Sequence, residues 1–523
     1  MRATLTAALL PLLAQIMPAA GRLQPRELHQ KLQKRFGMKS MELDDDHLEI
    51  VGNTTFEQLL DHSNPDAGTF SQRFWWNAEF YEEDGPIFLF NPGETSADGM
   101  LGYLTNKSLP GYYAQQLKGA VVVLEHRYWG KSVPFDELTA ETLQYHNLPN
   151  AIADMTNFAQ NVDCEFCEDG TCNSNENPWV LIGGSYSGAL AAWTSQLDSG
   201  TFAAYHASSA VVEGIDDFWY YFSPIEDALP SNCSTDVRAV IQYVDTVLAS
   251  GNADDISTLK TRFGLSALND MDFADTLANP ITLWQNDQDA VISFCDDLEA
   301  SASNYTQYMS SSGSGVGLVA ALEAYASYIK ENEGCGTDGS NCDTWDDSID
   351  WNDTSIDDTR AWQWMLCNEP FGWWQVGPPT SDGSNIVSSA LRPEHFSRRC
   401  PLLFPETNGY VAGIVEGYTE DHLNAWTQGW DAPYSRVIFV NGEFDPWKTA
   451  TVASPYRPDG PANSTDDSPK FVVEGGVHCP ELWVDEDDDA TWPIVQKSVE
   501  AMNGWLGEWS PPSKRSLRKA RRQ

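Results

Sequence analysis

The sequence predicts an α/β protein: a mainly parallel sheet covered by helices and interrupted by a large, mostly helical insertion. The first observation is a set of short apolar, β-branched runs at residues 87–90, 121–124, 179–182, 437–440 and 471–473, each ending in glycine or a polar turn. Uninterrupted apolar runs of this length suit strands buried on both faces. The second is alternation, because residues 137–162, between two of these runs, read as helix with a break at Pro149. The third is a change of texture over residues 215–429, where pieces such as 237–249 and 318–329 have helical spacing and Asp-, Ser- and Gly-rich connections separate them.

At 523 residues the chain is long enough for a large core, and 41% hydrophobic with 12% aromatic residues marks a packed body. A formal charge of −45 excludes nucleic acid and anionic membranes as natural partners. Residues 1–21 pair Arg2 with an apolar stretch and then Ala19, Ala20 and Gly21, the pattern of a secretory signal peptide. The stretch is too short and too interrupted to span a membrane, and no later segment is apolar enough. A secreted, extracellular destination is expected, with a vacuole or another acidic secretory compartment as the variant of it.

In that setting Asn53, Asn106, Asn232, Asn304, Asn352 and Asn463 are glycosylation sequons. The even count of 10 Cys reads as disulfides whose pairing the spacing leaves open. Zinc at Cys164, Cys167 and Cys172 is not expected, since a closed site needs four ligands at suitable spacing. No metal or cofactor is implied. Residues 22–45, with Lys34-Arg35, are expected to be a propeptide or linker, and 511–523 a basic flexible tail. The body then divides into 46–214 and 430–510, two parts of one α/β domain, with the cap insertion at 215–429.

The run at 179–182 leads straight into Gly183-Gly184-Ser185-Tyr186-Ser187-Gly188, strand then tight turn then small-residue helix. Such a turn lifts a serine oxygen to a helix N-terminus and needs small residues two places either side, here Gly183 and Ser187. With Ser185 as nucleophile, an acid and then a histidine should follow on loops after later strands. Asp445 follows the run at 437–440, and His478 the run at 471–473. This order is that of an α/β-hydrolase fold with a cap. Oxyanion donors are expected from the amide of Tyr186 and from Gly93 or Glu94 in the loop after the first run. Glu443 is a rival acid two residues before Asp445, while Glu125 and Arg127 read as a buried brace.

The strings EHRYWG (125–130), GGSYSGALAAW (183–193), NGEFDPW (441–447) and GGVHC (475–479) resemble the prolyl carboxypeptidase and dipeptidyl peptidase II serine peptidases. FEQLLDHSNPDAGTFSQRFWW (56–76), AETLQYHNL (140–148), LCNEPF (366–371) and CPLLFPETNGY (400–410) look closest to the secreted fungal acid prolyl endopeptidases within that family. The resemblance runs from about 56 to 505 and leaves out the cluster at 164–172. It implies a serine peptidase cutting on the carboxyl side of proline in proline-containing peptides or proteins, as an endopeptidase at acidic pH, with the exopeptidases as the alternative. It places the triad at Ser185, Asp445 and His478 and a proline-pocket tryptophan at Trp447, with Trp373 and Trp374 as weaker pocket candidates. An esterase on the same fold is less expected, because the insertion is rich in Asp and Ser and not in the apolar residues of a lipid-binding lid.

Overall fold

The computed structural model describes residues 51–167, 172–300, 315–333, 351–380 and 384–511. The expected signal peptide, the 22–45 segment, Asn304 and the basic residues 514–522 lie outside the described residues.

The strands are β1 (Val51–Leu59), β2 (Thr69–Asn77), β3 (Ile87–Asn91), β4 (Ala120–Leu124), β5 (Trp179–Gly184), β6 (Ala204–Ser208), β7 (Ile215–Asp217), β8 (Gly372–Trp374), β9 (Val437–Gly442) and β10 (Lys470–Val473). Eight of them form one sheet in the order β1-β2-β4-β3-β5-β6-β9-β10. The β1–β2 and β2–β4 pairings are antiparallel and the remainder parallel. All five apolar runs are strands of this sheet. Their alternation divides each strand between two cores: Ile87, Leu89, Val122 and Leu124 face one side, Phe88, Phe90, Val121 and Val123 the other. Each such side chain, fully buried, contributes about 1.5–3 kcal/mol.

Helix α1 (Leu109–Leu117) packs beside β3, α2 (Leu148–Asn161) packs on β1, and α3 (Ser185–Leu197) packs on β5 and α2. The helix expected over 137–162 is two pieces, Ala140–Leu143 and α2. Its break falls before Pro149, because the Asn147 side chain accepts the Asn150 amide at 2.9 Å and caps α2. Pro149 therefore sits in the first turn, where a missing N–H costs nothing.

Between β6 and β9 the chain builds α4 (Ser231–Ala249), α5 (Ala253–Phe263), α6 (Asp270–Thr282), α7 (Gln288–Ala300), α8 (Leu318–Asn332) and α9 (Asp358–Asn368). The short parallel pair β7–β8 ties the exit from the sheet to the end of this helical insertion. Disulfides join Cys233 to Cys295 and Cys367 to Cys400, holding α4 to α7 and α9 to the turn beyond it. Cys167 pairs with Cys172, whereas Cys164 and Cys479 are buried free thiols. A final helix, α10 (Trp492–Glu508), closes the second face of the sheet. This is an α/β-hydrolase fold with a helical insertion. None of the described helices is long and apolar enough to cross a membrane. Of the described sequons, Asn53, Asn106, Asn352 and Asn463 are exposed and Asn232 is half-buried.

Candidate active site

Strand β5 turns into α3 at Ser185, which is buried and held at φ 58°, in the left-handed region that L residues avoid. The turn is forced by close packing. A Cβ on Gly183 would lie 2.1 Å from the Ser187 carbonyl oxygen, and one on Gly188 would lie 2.6 Å from the Ser208 oxygen. Ser187 does more than stay small, since its hydroxyl accepts the Gly184 amide at 3.0 Å and donates to the Gly184 carbonyl at 2.8 Å.

Asp445 follows β9 and is fully buried. Its Oδ1 accepts the Trp447 amide at 2.9 Å and meets His478 Nδ1 at 3.0 Å. That bond fixes the tautomer with hydrogen on Nδ1, so Nε2, which has no hydrogen-bond partner among the described residues, carries the lone pair. Glu443, the rival acid, instead accepts the Gly475 amide at 2.9 Å and braces the turn before His478. The two loops are laced together further by Phe444 N–H to the Gly476 carbonyl at 2.8 Å. The Cys479 amide donates to Ser209 Oγ at 2.9 Å, and the Ser209 amide to the Val440 carbonyl at 2.7 Å. Because Gly184 is paired with Ser208 across β5 and β6, the serine turn and the histidine turn flank the same end of β6.

Burial disfavours the His478 imidazolium, but neighbouring Cys479 and the Asp445 carboxylate outweigh it and hold the ring well above its ordinary pKa. Glu94 points the other way. Burial pushes its carboxyl up to about 7 against the pull of its own backbone amide and of His478, and its Oε2 has no partner among the described residues.

The loop carrying Glu94 lies against the elbow, since a Cβ on Gly93 would come within 3.3 Å of Ser187 Cβ. The Gly93 N–H donates to Asn91 Oδ1 at 2.9 Å, and the Glu94 amide faces its own carboxyl. Gly93, Glu94 and Tyr186 stay the candidate oxyanion donors, the first two already engaged within their own loop. Tyr186 is fixed by its hydroxyl, 3.1 Å from His126 Nε2, and by Trp362 and Phe371 around the ring.

Trp447 stands in an aromatic enclosure, with ring centroids 5.2 Å from Tyr221, 5.7 Å from Phe218 and 6.0 Å from Trp373. Its indole N–H donates to Gln285 Oε1 at 2.7 Å. Trp374 does not join this group. Adjacent residues of β8 point to opposite faces, so Trp374 stacks on Phe396 at 5.8 Å with the Arg399 guanidinium over its ring. Phe218, Tyr221, Gln285 and the side chain of Glu94 escaped the sequence reading, although the aromatic run at 218–222 was a signal for the first two.

Glu125 and Arg127 are buried braces, but not to each other. Glu125 takes Arg73, Ser132 and the Ala97 amide, while Arg127 pairs with Asp154 and donates to the carbonyls of Leu59, Leu60 and Tyr145.

The sequence model of the family described as serine carboxypeptidase S28 matches residues 58–496. Serine protease vicPb of Bipolaris victoriae is 37% identical over 457 residues, covering 83% of this chain and 85% of that protein. An Arthroderma benhamiae protein named "Probable extracellular serine carboxypeptidase" is 28% identical over 438 residues, covering 78% of this chain and 59% of its own. Among solved structures, an arylesterase aligns over 93% of this chain and 94% of its own at 10% identity, with a TM-score of 0.34.

Proposed function

Since the chain belongs to the serine carboxypeptidase S28 family and is a serine-type peptidase, we propose that Ser185, His478 and Asp445 are its triad and that it is a secreted endopeptidase cutting after proline. Ser185 Oγ attacks the scissile carbonyl while His478 Nε2 takes its proton. Asp445 holds the imidazolium that forms, and the tetrahedral oxyanion is received by the Tyr186 and Glu94 amides. Collapse expels the amine with the proton from His478 and leaves the acyl-enzyme. Water, deprotonated by the same imidazole, then releases the peptide acid and restores Ser185.

The observation that carries the proline reading is the enclosure of Trp447 by Phe218, Tyr221 and Trp373, two residues from the acid. A rigid apolar ring fills such a box at little entropic cost. The name of the Arthroderma benhamiae relative favours secretion, as does the leader pattern at residues 1–21.

Electrostatics set the pH range more narrowly than the resemblance does. His478 must be neutral to act as base, and its raised pKa opposes work at strongly acid pH. Glu94, titrating at about 7, brings negative charge beside the oxyanion site as pH rises. The two groups therefore bound the pH range from opposite sides, His478 on the acid limb and Glu94 on the alkaline limb.

The test is mass spectrometry of the products from a long peptide with internal and penultimate prolines, incubated at pH 4–7 with wild type and Ser185→Ala. Internal cuts after proline, absent in the variant, are expected. Release of only a terminal residue or dipeptide would make it an exopeptidase, and cuts without regard to proline would overturn the pocket assignment.

A further inference from the structure

Gln285 sits at the end of the turn Leu283–Gln285, between α6 and α7, and keeps only 4% of its surface exposed. Its Oε1 accepts the Trp447 indole N–H at 2.7 Å and lies 3.5 Å from the Tyr221 hydroxyl. Two donors on one atom fix the orientation of the amide, so the other atom is Nε2, a donor. That Nε2 is buried and has no partner among the described residues. Next to it, Trp284 Nε1 donates to the Phe444 carbonyl at 3.0 Å. Two consecutive cap residues thus grip the loop that carries Asp445 from both sides of it.

A buried N–H without an acceptor is costly, and the other side chains around Trp447 are aromatic. What an incoming peptide brings is carbonyl oxygen. The scissile carbonyl goes to the oxyanion amides, which leaves the carbonyl of the residue preceding proline. The converse matters more for selectivity. Gln285 has already committed its acceptor atom to Trp447 and Tyr221, so at this position the side chain has a donor to give and no acceptor to spare. Proline alone among the natural residues has no backbone N–H to satisfy. Any other residue in the same place brings a donor that Gln285 cannot pair, and an unpaired buried donor costs about tenfold or more in binding.

We infer that Gln285 is a specificity-determining residue that reads the imide of the substrate, donating from Nε2 to the carbonyl before proline while denying an acceptor to any backbone N–H. The inference rests on the post-proline reading. It differs from that reading in assigning part of the preference to the missing N–H and not to the ring.

The experiment uses the full chain and peptides identical except at the residue before the cut, which is proline, N-methylalanine or alanine. N-methylalanine lacks both the ring and the N–H, so it separates the two causes. Wild type should cleave the N-methylalanine peptide at least tenfold better than the alanine peptide, measured as kcat/KM. Gln285→Glu, assayed at pH 7 to 8, keeps an oxygen for Trp447 and turns the free donor into an acceptor. It should shrink the ratio of N-methylalanine to alanine by about tenfold. Gln285→Leu removes the donor and should lower kcat/KM for all three peptides by a common factor of about ten, mostly through KM. A wild type that prefers proline but treats N-methylalanine like alanine, or a ratio unmoved in Gln285→Glu, overturns the inference. A wild type with no preference for proline overturns the reading beneath it instead.

Discussion

Glu94→Gln separates the cost of a buried carboxylate from every other pH effect in the molecule. In the folded protein the Glu94 carboxyl titrates at about 7 against an ordinary 4.5, because burial penalises the charged form. A carboxyl raised in this way favours the fold while protonated, so its contribution is complete below pH 4.5 and is lost as pH climbs through about 7. The shift, at ~1.36 kcal/mol per pH unit, corresponds to a loss of about 3 kcal/mol between pH 4 and pH 8. Gln is neutral throughout and keeps nearly the same shape. Unfolding entropy of ~2.1 cal/mol/K per residue over the ~420 described residues makes that loss about 3 °C in Tm. Thermal unfolding of both proteins at pH 4 and pH 8 should give nearly equal Tm values at pH 4 and an advantage of about 3 °C for Glu94→Gln at pH 8. Other titrating groups cancel in this difference of differences. The alkaline limb of kcat/KM near pH 7 should also move upward in the variant. An equal Tm difference at the two pH values would refute the claim that Glu94 is carried into the fold as a neutral acid.

Three further outcomes follow from the same coordinates. Asp445→Asn removes the partner that fixes the His478 tautomer, so kcat should fall by about 10⁴ in a steady-state assay while the circular dichroism spectrum stays unchanged. Gly183→Ala places a methyl 2.1 Å from the Ser187 carbonyl oxygen, where backbone must give way. It should abolish labelling of Ser185 by a fluorophosphonate probe even in whatever fraction folds. Arg127→Met leaves Asp154, which is 2% exposed, with His62 as its remaining side-chain partner, and should cost about 3–5 kcal/mol in urea unfolding at pH 7.

The strands legible in the sequence are those whose two faces are both buried. β3, β4 and β9 are unbroken apolar or nearly apolar runs because helices and the cap cover both sides of them. β6 is equally buried yet invisible to that criterion, since it reads Ala204-Tyr205-His206-Ala207-Ser208. Its His206 is tolerated inside because Tyr113 and Glu481 satisfy its two ring nitrogens at 2.9 and 3.0 Å. β1 and β2 were missed because they lie at the antiparallel end of the sheet, where β1 is largely exposed and polar residues are permitted. The three triad candidates were legible because each sits at a strand end with its own local signature. Gly93 was less legible, because a glycine in a loop after a strand suggests a free amide, whereas its N–H donates to Asn91 Oδ1.

The pocket was harder to read, for a reason that lies in the division of labour within the fold. The serine and histidine turns are tied to the sheet, through Ser208, Ser209 and Val440, and sheet strands carry period and glycine signals. The walls around Trp447 come from the insertion: Phe218 and Tyr221 near its start, Gln285 in its middle, Trp373 near its end. These residues are brought together by helix packing and the β7–β8 pair, across separations that no local pattern encodes. On the proposed reading, reaction chemistry is written into short contiguous motifs, and substrate choice into residues up to about 230 positions apart. Substitutions in the insertion should therefore change which bond is cut while leaving the Asp445–His478 pair intact. Gln285 is where the two halves meet, because it belongs to the insertion and holds Trp447, whose own amide is bonded to the catalytic acid candidate at 2.9 Å.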